Sequence, residues 1–390
     1  MFSTRVPARL ESNALSRAVE RARASGRTLI DLTLSNPTRA GIEYPPGLFQ
    51  ALSRPDVARY CPHPFGLDAA RQAVAADFRR RGVAAAADRI VLTSSTSEAY
   101  SLLFKLLCAP SGDAVLVPVP SYPLFEHLTS LDGVAAVPYR LAYDGRWWVD
   151  FHDVDERWTP RIRAVLAVSP NNPTGSVLAD AELDRLDAAC AARTAALIID
   201  EVFADYPLEA PAAAINAGLK SPSAALTFRL GGLSKSAALP QVKLGWIAVD
   251  GPKSLVHEAL ERLELICDTY LSVSTEVQVA APELIAGGAD TRRQVTDRVR
   301  GNYATLCARV SEHRSTDVLN LEAGWSAVLR VLSRSTEEEI VLDLIERDGV
   351  IVHPGYFFDF PHEAFLVVSL LPEPETFAEG VRRVLERVDA

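Results

Sequence analysis

Short apolar runs alternate with amphipathic, helix-like stretches between about Leu67 and Ala286. The strand-like runs are R-I-V-L-T, A-V-L-V-P-V, R-A-V-L-A-V, A-A-L-I-I-D, A-L-T-F-R-L and K-L-G-W-I-A-V. This alternation predicts βαβ units, and therefore an α/β fold in which helices cover a mostly parallel sheet. Ligands of such sheets bind at the carboxyl ends of the strands, and several of these runs end in a polar cluster. We expect the chemistry of the protein at that edge.

The two ends of the chain show a different pattern. An amphipathic helix near Asn13 to Ser25 precedes the strand-like T-L-I-D-L-T-L and the turn S-N-P-T at Ser35 to Thr38. After a long helical stretch near Thr275 to Val310 come strand-like W-S-A-V-L-R-V, helix-like T-E-E-E-I-V-L-D-L-I-E and strand-like F-L-V-V-S-L-L. These patterns predict a smaller α+β domain formed by both ends. The predicted division is an N-terminal arm and part of the small domain at 1–45, a large domain at 46–274 and the rest of the small domain at 275–390.

Composition and charge narrow the class of protein. Apolar residues make up 48% and charged residues 23% of the 390 residues, which is ordinary for a globular protein. A chain of this length usually forms about two domains and has room for a deep cleft. The net charge is -10 and no run of five like charges occurs, which argues against nucleic acid and membrane partners.

The cysteines and the apolar segments indicate a cytoplasmic protein. Five cysteines are scattered without C-x-x-C or metal-ligand spacing, so we expect reduced thiols and no metal site. The start M-F-S-T-R-V lacks the apolar stretch of a signal peptide, and no later apolar segment is long enough to predict a membrane span.

Lys235 is informative because only five of the 40 basic residues are lysines. It lies in G-G-L-S-K-S-A-A-L-P, where small and apolar neighbours should lower the pKa of the amine and leave it able to form a Schiff base. Taken alone, a surface lysine is the more ordinary interpretation. Asp200 ends the run A-A-L-I-I-D and is by itself a common turn former. Facing a bound pyridine ring, however, its carboxylate would keep the ring nitrogen protonated and the ring an electron sink.

Three further motifs follow strands. T-S-S-T-S-E-A-Y, from Thr93 to Tyr100, opens a helical pattern whose free N–H groups and hydroxyls suit a phosphate, although simple helix capping explains it equally well. S-P-N-N-P-T-G contains Asn172, which can donate to a ring oxygen or only form a turn. Tyr122, in P-V-P-S-Y-P-L-F, can stack on a ring or fill the core.

The ordered series of these motifs resembles the class I/II aminotransferases of fold type I, the aspartate-aminotransferase-like enzymes that use pyridoxal 5'-phosphate (PLP). The resemblance spans roughly Leu29 to Ser369. It consists of an S-N-P turn, a Tyr before P-x-P-x-G-L, the phosphate motif, P-S-Y-P, N-N-P-T-G, D-E-V-F and S-K-x-x-x-L-P-x-x-K-L-G-W. Each motif is weak alone, and the series in order is specific.

The resemblance implies a role for each motif. Lys235 would hold PLP in a Schiff base and then move protons, and Asp200 would pair with the ring nitrogen. Asn172 would bind the ring oxygen and Tyr122 would stack on the ring. Tyr60 would reach the phosphate of the neighbouring subunit, which implies a homodimer with shared active sites. The residues implied around the phosphate are Ser95, Thr96, Ser97, Ser234 and Lys243, and those implied around the substrate are Ser35, Asn36 and Asn172.

Four positions depart from the family pattern. Phe203 stands where most relatives have a tyrosine bonded to the ring oxygen, so we expect the pKa of the Schiff base to be higher than in those relatives. Lys243 occupies a position where most relatives have an arginine. Its ammonium cannot form the planar, bidentate pair of hydrogen bonds that an arginine makes with phosphate. Gly232 replaces a frequent phosphate-binding serine.

The fourth departure concerns the substrate. Val367, in F-L-V-V-S, occupies the usual position of the arginine that binds the substrate carboxylate. Either another cation takes this role, with Arg39 after the S-N-P-T turn as our candidate, or the substrate presents no carboxylate there. Arg39 is also consistent with a solvated loop arginine.

The leading hypothesis is amino-group transfer between an amino acid or amine and a 2-oxo acid. The departures leave open another PLP reaction on the same scaffold, such as β-elimination, decarboxylation or ring closure. A non-catalytic PLP-binding regulator is a third hypothesis, although such regulators normally carry a DNA-binding appendage.

Overall fold

The fold is taken from a computed structural model, which describes residues 2–7, 11–208, 222–362 and 364–390. The strands are β1 (Ile30–Asp31), β2 (Ile90–Thr93), β3 (Ala114–Val119), β4 (Ala135–Tyr143), β5 (Trp147–Val149), β6 (Ile162–Val168), β7 (Ala196–Asp200), β8 (Thr227–Gly232), β9 (Gly245–Asp250), β10 (Thr316–Val318), β11 (Ser326–Val331), β12 (Val350–Ile351), β13 (His353–Pro354) and β14 (Phe365–Ser369). The α-helices are α1 (Ala14–Ala24), α2 (Asp68–Arg80), α3 (Thr96–Leu107), α4 (Phe125–Asp132), α5 (Phe151–Arg157), α6 (Asp180–Ala192), α7 (Leu233–Ser236), α8 (Lys253–Tyr270), α9 (Thr275–Val310), α10 (Glu337–Asp343) and α11 (Pro374–Asp389).

Shorter turns of helix complete the chain. The 3-10 helices are Pro37–Arg39, Leu48–Ser53, Pro55–Ala58, Ala87–Arg89 and Gly355–Phe358, and a π-helical turn spans Leu344–Asp348. No helix in the described ranges combines the length and the apolar content that crossing a membrane requires.

A sheet of eight strands forms the centre of the molecule, in the order β2-β9-β8-β7-β6-β3-β4-β5. The neighbours from β8 to β4 pair in parallel, whereas β9 and β5 run antiparallel to the strands beside them. Every residue of β2, β7 and β8 is buried, because helices cover both faces of the sheet. The six strand-like runs of the sequence become β2, β3, β6, β7, β8 and β9, so the α/β prediction is confirmed.

The two ends of the chain meet around a smaller sheet. Its strands have the antiparallel order β10-β11-β14-β13, and β1 pairs in parallel with β12 nearby. Along β14, Leu366 and Val368 face a core shared with α1 and α11, whereas Phe365 and Val367 face a core shared with the large sheet. The small sheet therefore packs on both faces and reaches the large sheet with one of them.

Helix α9 joins the two parts of the structure. Its first half buries Val277, Ala281 and Leu284 in the core of α2 and β9, and its second half buries Val299 and Leu306 in the core of the small sheet. This continuous helix explains why the chain has no polar linker at the boundary predicted near residue 275. The boundaries at residues 45 and 274 stay predictions, because one helix serves both cores.

Candidate active site

A cavity of about 300 Å³ opens at the carboxyl ends of β6, β7 and β8, where the small sheet meets the large one. The sequence-predicted residues that line it are Ser35, Ser95, Thr96, Ser97, Tyr122, Asn172, Asp200, Phe203, Ser234, Lys235 and Lys243. Motifs that lie far apart in the chain thus converge on one space. Across the described part of the chain, no three His, Cys, Asp or Glu side chains are grouped so that they could hold a metal ion.

Lys235 lies in the short helix α7, directly after β8, and its side chain projects into the cavity. Burial lowers the pKa of its amine to about 8, and the nearby charge of Asp200 opposes this effect only partly. Its Nζ lies 4.9 Å from the ring centre of Trp325 and 5.5 Å from that of Phe203. An amine in these surroundings is uncharged in a substantial fraction near neutral pH and can act as a nucleophile.

The turn that carries Lys235 is held from several directions. The hydroxyl of Tyr206 donates to the carbonyl of Lys235, and that of Tyr44 donates to the carbonyl of Ala238 over 2.6 Å. From α9, Thr291 Oγ1 donates to Ala237 O at 2.9 Å and Arg292 Nη1 donates to Ser236 O at 3.0 Å. These bonds satisfy carbonyls that the single helical turn leaves free, and they fix the direction of the lysine side chain.

Asp200 ends β7 and faces the same cavity. Its Oδ2 accepts a hydrogen bond of 2.6 Å from the hydroxyl of Tyr100, and its Oδ1 accepts one of 3.0 Å from the Val202 N–H. Burial raises the pKa of Asp200 to about 6, while these two hydrogen bonds lower it. A carboxylate in this position is ready to pair with a positive charge on a bound ring.

The start of helix α3 forms the anion-binding end of the cavity. Ser95 caps the helix by accepting from the Glu98 N–H at 3.1 Å, and the Glu98 side chain accepts from the Ser94 N–H at 2.6 Å. A Cβ on Gly245 would lie 2.9 Å from the carbonyl carbon of Ser95, so only glycine lets β9 approach this closely. Lys243 lies two residues before Gly245, and its exposed ammonium lines the cavity where β9 approaches the start of α3. Helix N–H groups, hydroxyls and a cation together suit a phosphate.

Asn171 holds Asn172 and Tyr122 in place. Its buried side chain accepts from Ser121 Oγ at 2.7 Å and donates to Pro120 O at 3.0 Å. The loops after β3 and β6 are thereby joined at the edge of the cavity. Tyr122 is half-exposed there, and its ring contacts Phe125 edge to face with the ring centres 6.2 Å apart.

Three sequence-predicted residues lie outside the cavity. Asn36 caps the 3-10 helix Pro37–Arg39 by accepting from the Thr38 N–H at 3.1 Å, and Arg39 at the end of that helix is exposed. Tyr60 is 68% exposed and lies in a different cleft, beside Leu271. The single chain does not bring these residues to Lys235, and their roles stay predictions.

The structure adds residues that the sequence motifs did not indicate. Tyr100 contacts Asp200, and Trp325, Ser326 and Ser369 line the cavity from the small sheet. The indole Nε1 of Trp325 is buried and has no hydrogen-bond partner within the described residues. Tyr100 ends the T-S-E-A-Y motif, so its position just after the start of the helix could have indicated that it lies near the site. The other three come from a distant part of the chain, and only the tertiary structure relates them to Lys235.

The comparisons with known proteins agree with this geometry. Residues 28–384 match the family model of aminotransferase class I and II. The chain belongs to that family. It is 24% identical over 380 residues to glutamate-pyruvate aminotransferase AlaA of Haemophilus influenzae, covering 93% of this chain and 91% of the relative. It is 26% identical over 383 residues to alanine aminotransferase of Mycobacterium bovis, covering 93% and 86%.

The fold of this aminotransferase matches solved structures over its whole length. The alanine aminotransferase of Pyrococcus furiosus superimposes with a TM-score of 0.88 at 23% identity, and the match covers 100% of both chains. The protein is a PLP-dependent aminotransferase, as the sequence motifs indicated. Its cavity fits PLP, because a buried amine, a buried carboxylate and the anion-binding helix start all face one space.

Proposed function

We propose that Lys235 holds the cofactor covalently and moves the proton during amino-group transfer between an amino acid or amine and a 2-oxo acid. The observation that carries this proposal is the buried pair of Lys235 and Asp200, which line one cavity with shifted pKa values. PLP supplies an aldehyde carbon and an electron-withdrawing ring when it is bound. Burial lowers the pKa of Lys235 to about 8, so this amine suits both nucleophilic attack and proton transfer.

The other residues orient the ring. Asp200 holds a proton on the ring nitrogen, and Tyr100 keeps the carboxylate in position through its hydrogen bond of 2.6 Å. Asn172 is the donor to the ring oxygen, since Phe203 at the edge of the cavity has no hydroxyl. Tyr122 covers one face of the ring. In our proposal this arrangement fixes which bond of the substrate is broken, because it sets the ring plane.

The phosphate belongs at the start of α3. Ser95, Thr96 and Ser97 present hydroxyls and N–H groups there, and Ser234 and Lys243 complete the ring of donors. A phosphate ester carries close to two negative charges, which the helix start and one ammonium can stabilise together. These residues would hold the cofactor by its phosphate independently of Lys235.

We propose that the active unit is a homodimer in the cytoplasm. An exposed apolar surface around Tyr60 supports the proposed dimer. Tyr60 shares a cleft with Leu271, and both side chains are exposed. Leu265 and Tyr270 on the same stretch of α8 are also exposed. Large apolar side chains grouped on a surface usually mark a protein interface. In our proposal this surface meets a second copy of the chain and Tyr60 reaches the partner's phosphate.

A donor screen tests the proposed function. The PLP-loaded protein is mixed with single amino acids and amines, starting with alanine and glutamate because relatives are named for them. Loss of the yellow colour together with a carbonyl product shows transfer to the cofactor, and a 2-oxo acid should restore the colour. Lys235→Ala should bind PLP and complete no turnover. Formation of an eliminated or decarboxylated product without the amine form of the cofactor would refute aminotransfer by this site.

A further inference from the structure

The cavity offers a substrate few positive charges. Among the described residues that line it, the cations are Lys235 and Lys243. Lys243 lies at the phosphate end, and Lys235 is the residue that binds the cofactor. Once Lys235 binds the cofactor it no longer offers a free ammonium, Lys243 faces a phosphate ester with nearly two negative charges, and Asp200 pairs with the protonated ring nitrogen. Within the described residues of one chain, a substrate carboxylate would therefore find no cation in the cavity that the cofactor does not already engage.

The small sheet closes this side of the cavity with uncharged groups. Ser326 and Ser369 face each other across β11 and β14 and line the cavity. Two residues before Ser369 on the same face of β14, Val367 is 2% exposed and packs with Val328 and Phe365. The native side chain supplies no cation at this position, because Val367 packs in an apolar core.

Arg298 and Arg292 are engaged elsewhere, and Arg39 lies outside the cavity. Arg298 donates to Ala40 O and Leu371 O, both at 3.0 Å, and pairs with Glu373 at 2.9 Å. Arg292 donates to the carbonyl of Ser236. Arg39 is exposed and does not line the cavity.

Aromatic side chains, rather than a cation, line this side of the cavity. Trp325 is buried and contacts Phe203 and Tyr206 edge to face, with ring centres 5.4 Å and 5.0 Å apart. The Lys235 amine lies over the Trp325 ring, so the indole borders the part of the cavity beside this amine. Aromatic surfaces favour uncharged groups, and a carboxylate that loses its water there without a partner is strongly disfavoured.

We propose that this aminotransferase selects amino compounds whose amine-bearing carbon carries an uncharged group, such as an amide, ester, hydroxymethyl or alkyl group, over free α-amino acids. The inference rests on the proposed function and narrows its substrate class. In the half-reaction the amine-bearing carbon loses its C–N bond and one C–H bond and gains a C=O bond whose oxygen comes from water, while that hydrogen moves to the carbon that linked the cofactor to Lys235 and Lys235 is released as a free amine. The product is the matching neutral carbonyl compound, and the nitrogen stays on the cofactor as its amine.

The test compares alanine with alaninamide, which differ in the charge of one group of nearly equal size. Conversion of the PLP-loaded enzyme is followed by the loss of its yellow absorption and by the carbonyl product, and kcat/KM is expressed per concentration of uncharged amine. We expect alaninamide to exceed alanine by tenfold or more. A value for alanine equal to or above that for alaninamide overturns the inference, and the cation would then be Arg39 or a group of a second subunit. If neither compound, nor any other amine, converts the cofactor, the proposed function itself has failed.

Two variants at one position separate charge from size. Val367→Arg should shift the alaninamide-to-alanine ratio toward alanine by at least tenfold, whereas Val367→Met, of similar length and no charge, should leave the ratio near the wild-type value. An equal shift in both variants would count against a charge effect. The wild-type comparison stands even if Val367→Arg does not fold.

Discussion

At the scale of single residues, hydrogen bonds and burial set the acidity of the groups around the cofactor. Burial raises the pKa of Asp200 to about 6, and the hydroxyl of Tyr100 opposes this rise with a hydrogen bond of 2.6 Å. Below its pKa, Asp200 must lose a proton before it can pair with a protonated ring. The affinity of the protein without cofactor for PLP should therefore fall as the pH drops through the pKa of Asp200.

Replacing Tyr100 by Phe removes the donor and should raise the pKa of Asp200 further. The loss of PLP affinity on acidification should then begin at a higher pH, and affinity near pH 6 should fall about tenfold, since a hydrogen bond to a charged group contributes roughly 1.5–3 kcal/mol. Titration of PLP binding across the pH range measures this. Tyr139→Phe is the matched control, because Tyr139 is a buried tyrosine that donates to Leu166 O at 2.9 Å outside the cavity. The same shift in both variants would show a general loss of stability instead.

The sequence located the residues proposed to carry chemistry better than it located those that surround them. Lys235, Asp200 and Asn172 each follow a strand in a recognisable motif, and the structure brings all three to one cavity. Trp325 and Ser369 have no such motif, since they reach the cavity through the pairing of β11 with β14.

At the scale of elements, helix α9 positions the turn that carries Lys235. Gly288 on this helix lies against Ala237, and a Cβ added to it would come within 2.6 Å of the Ala237 Cβ. The absence of a side chain lets Thr291, one turn later, reach the carbonyl of Ala237. The geometry of the lysine turn thus depends on close approach between two backbones.

Gly288→Ala should destabilise the protein by about 1–3 kcal/mol, because it overpacks this contact, and it should also weaken PLP binding. Gly301→Ala on the same helix meets nothing within 4 Å and should stabilise by about 0.5–1 kcal/mol, as expected for alanine over glycine in a helix. Denaturant unfolding of both variants gives the free energies. Opposite signs support the packing account, and two stabilising substitutions would contradict it.

Elements with a strong period were predictable, and those without one were not. The caps Asn13 and Ser25 bound α1 as the amphipathic pattern indicated, and α9 spans Thr275–Val310 as predicted. Strand β4 was not predicted, because it contains Pro138 and is only partly buried, so its apolar run is broken. Strand β5 has three residues and is too short to give a pattern.

At the scale of the whole molecule, two exposed leucines offer a test of the proposed dimer surface against an ordinary surface. Leu265 lies on α8, two residues before Cys267 in the cleft of Tyr60, and is 72% exposed, whereas Leu332 follows β11 in the small sheet and is 69% exposed. We expect a homodimer with an interface at or above roughly 2,000 Å² that covers Leu265.

Leu265→Asp should therefore weaken the dimer and Leu332→Asp should not, because only the first places a charge in the interface. Light scattering over a range of protein concentrations measures the mass of each variant. A wild-type enzyme that is monomeric and fully active would exclude an active site shared between subunits. An equal effect of both substitutions would show that Leu265 does not lie in a dimer interface.

The most direct test of the account asks which lysine holds the cofactor. Borohydride reduces the bond between PLP and a lysine to a stable amine, so digestion and mass spectrometry of the treated protein locate it. We predict that the purified protein is yellow and that the label lies on Lys235, with one PLP per chain. A label on Lys105, Lys243 or Lys253, or a protein that binds PLP without any borohydride-stable bond, would contradict the central claim.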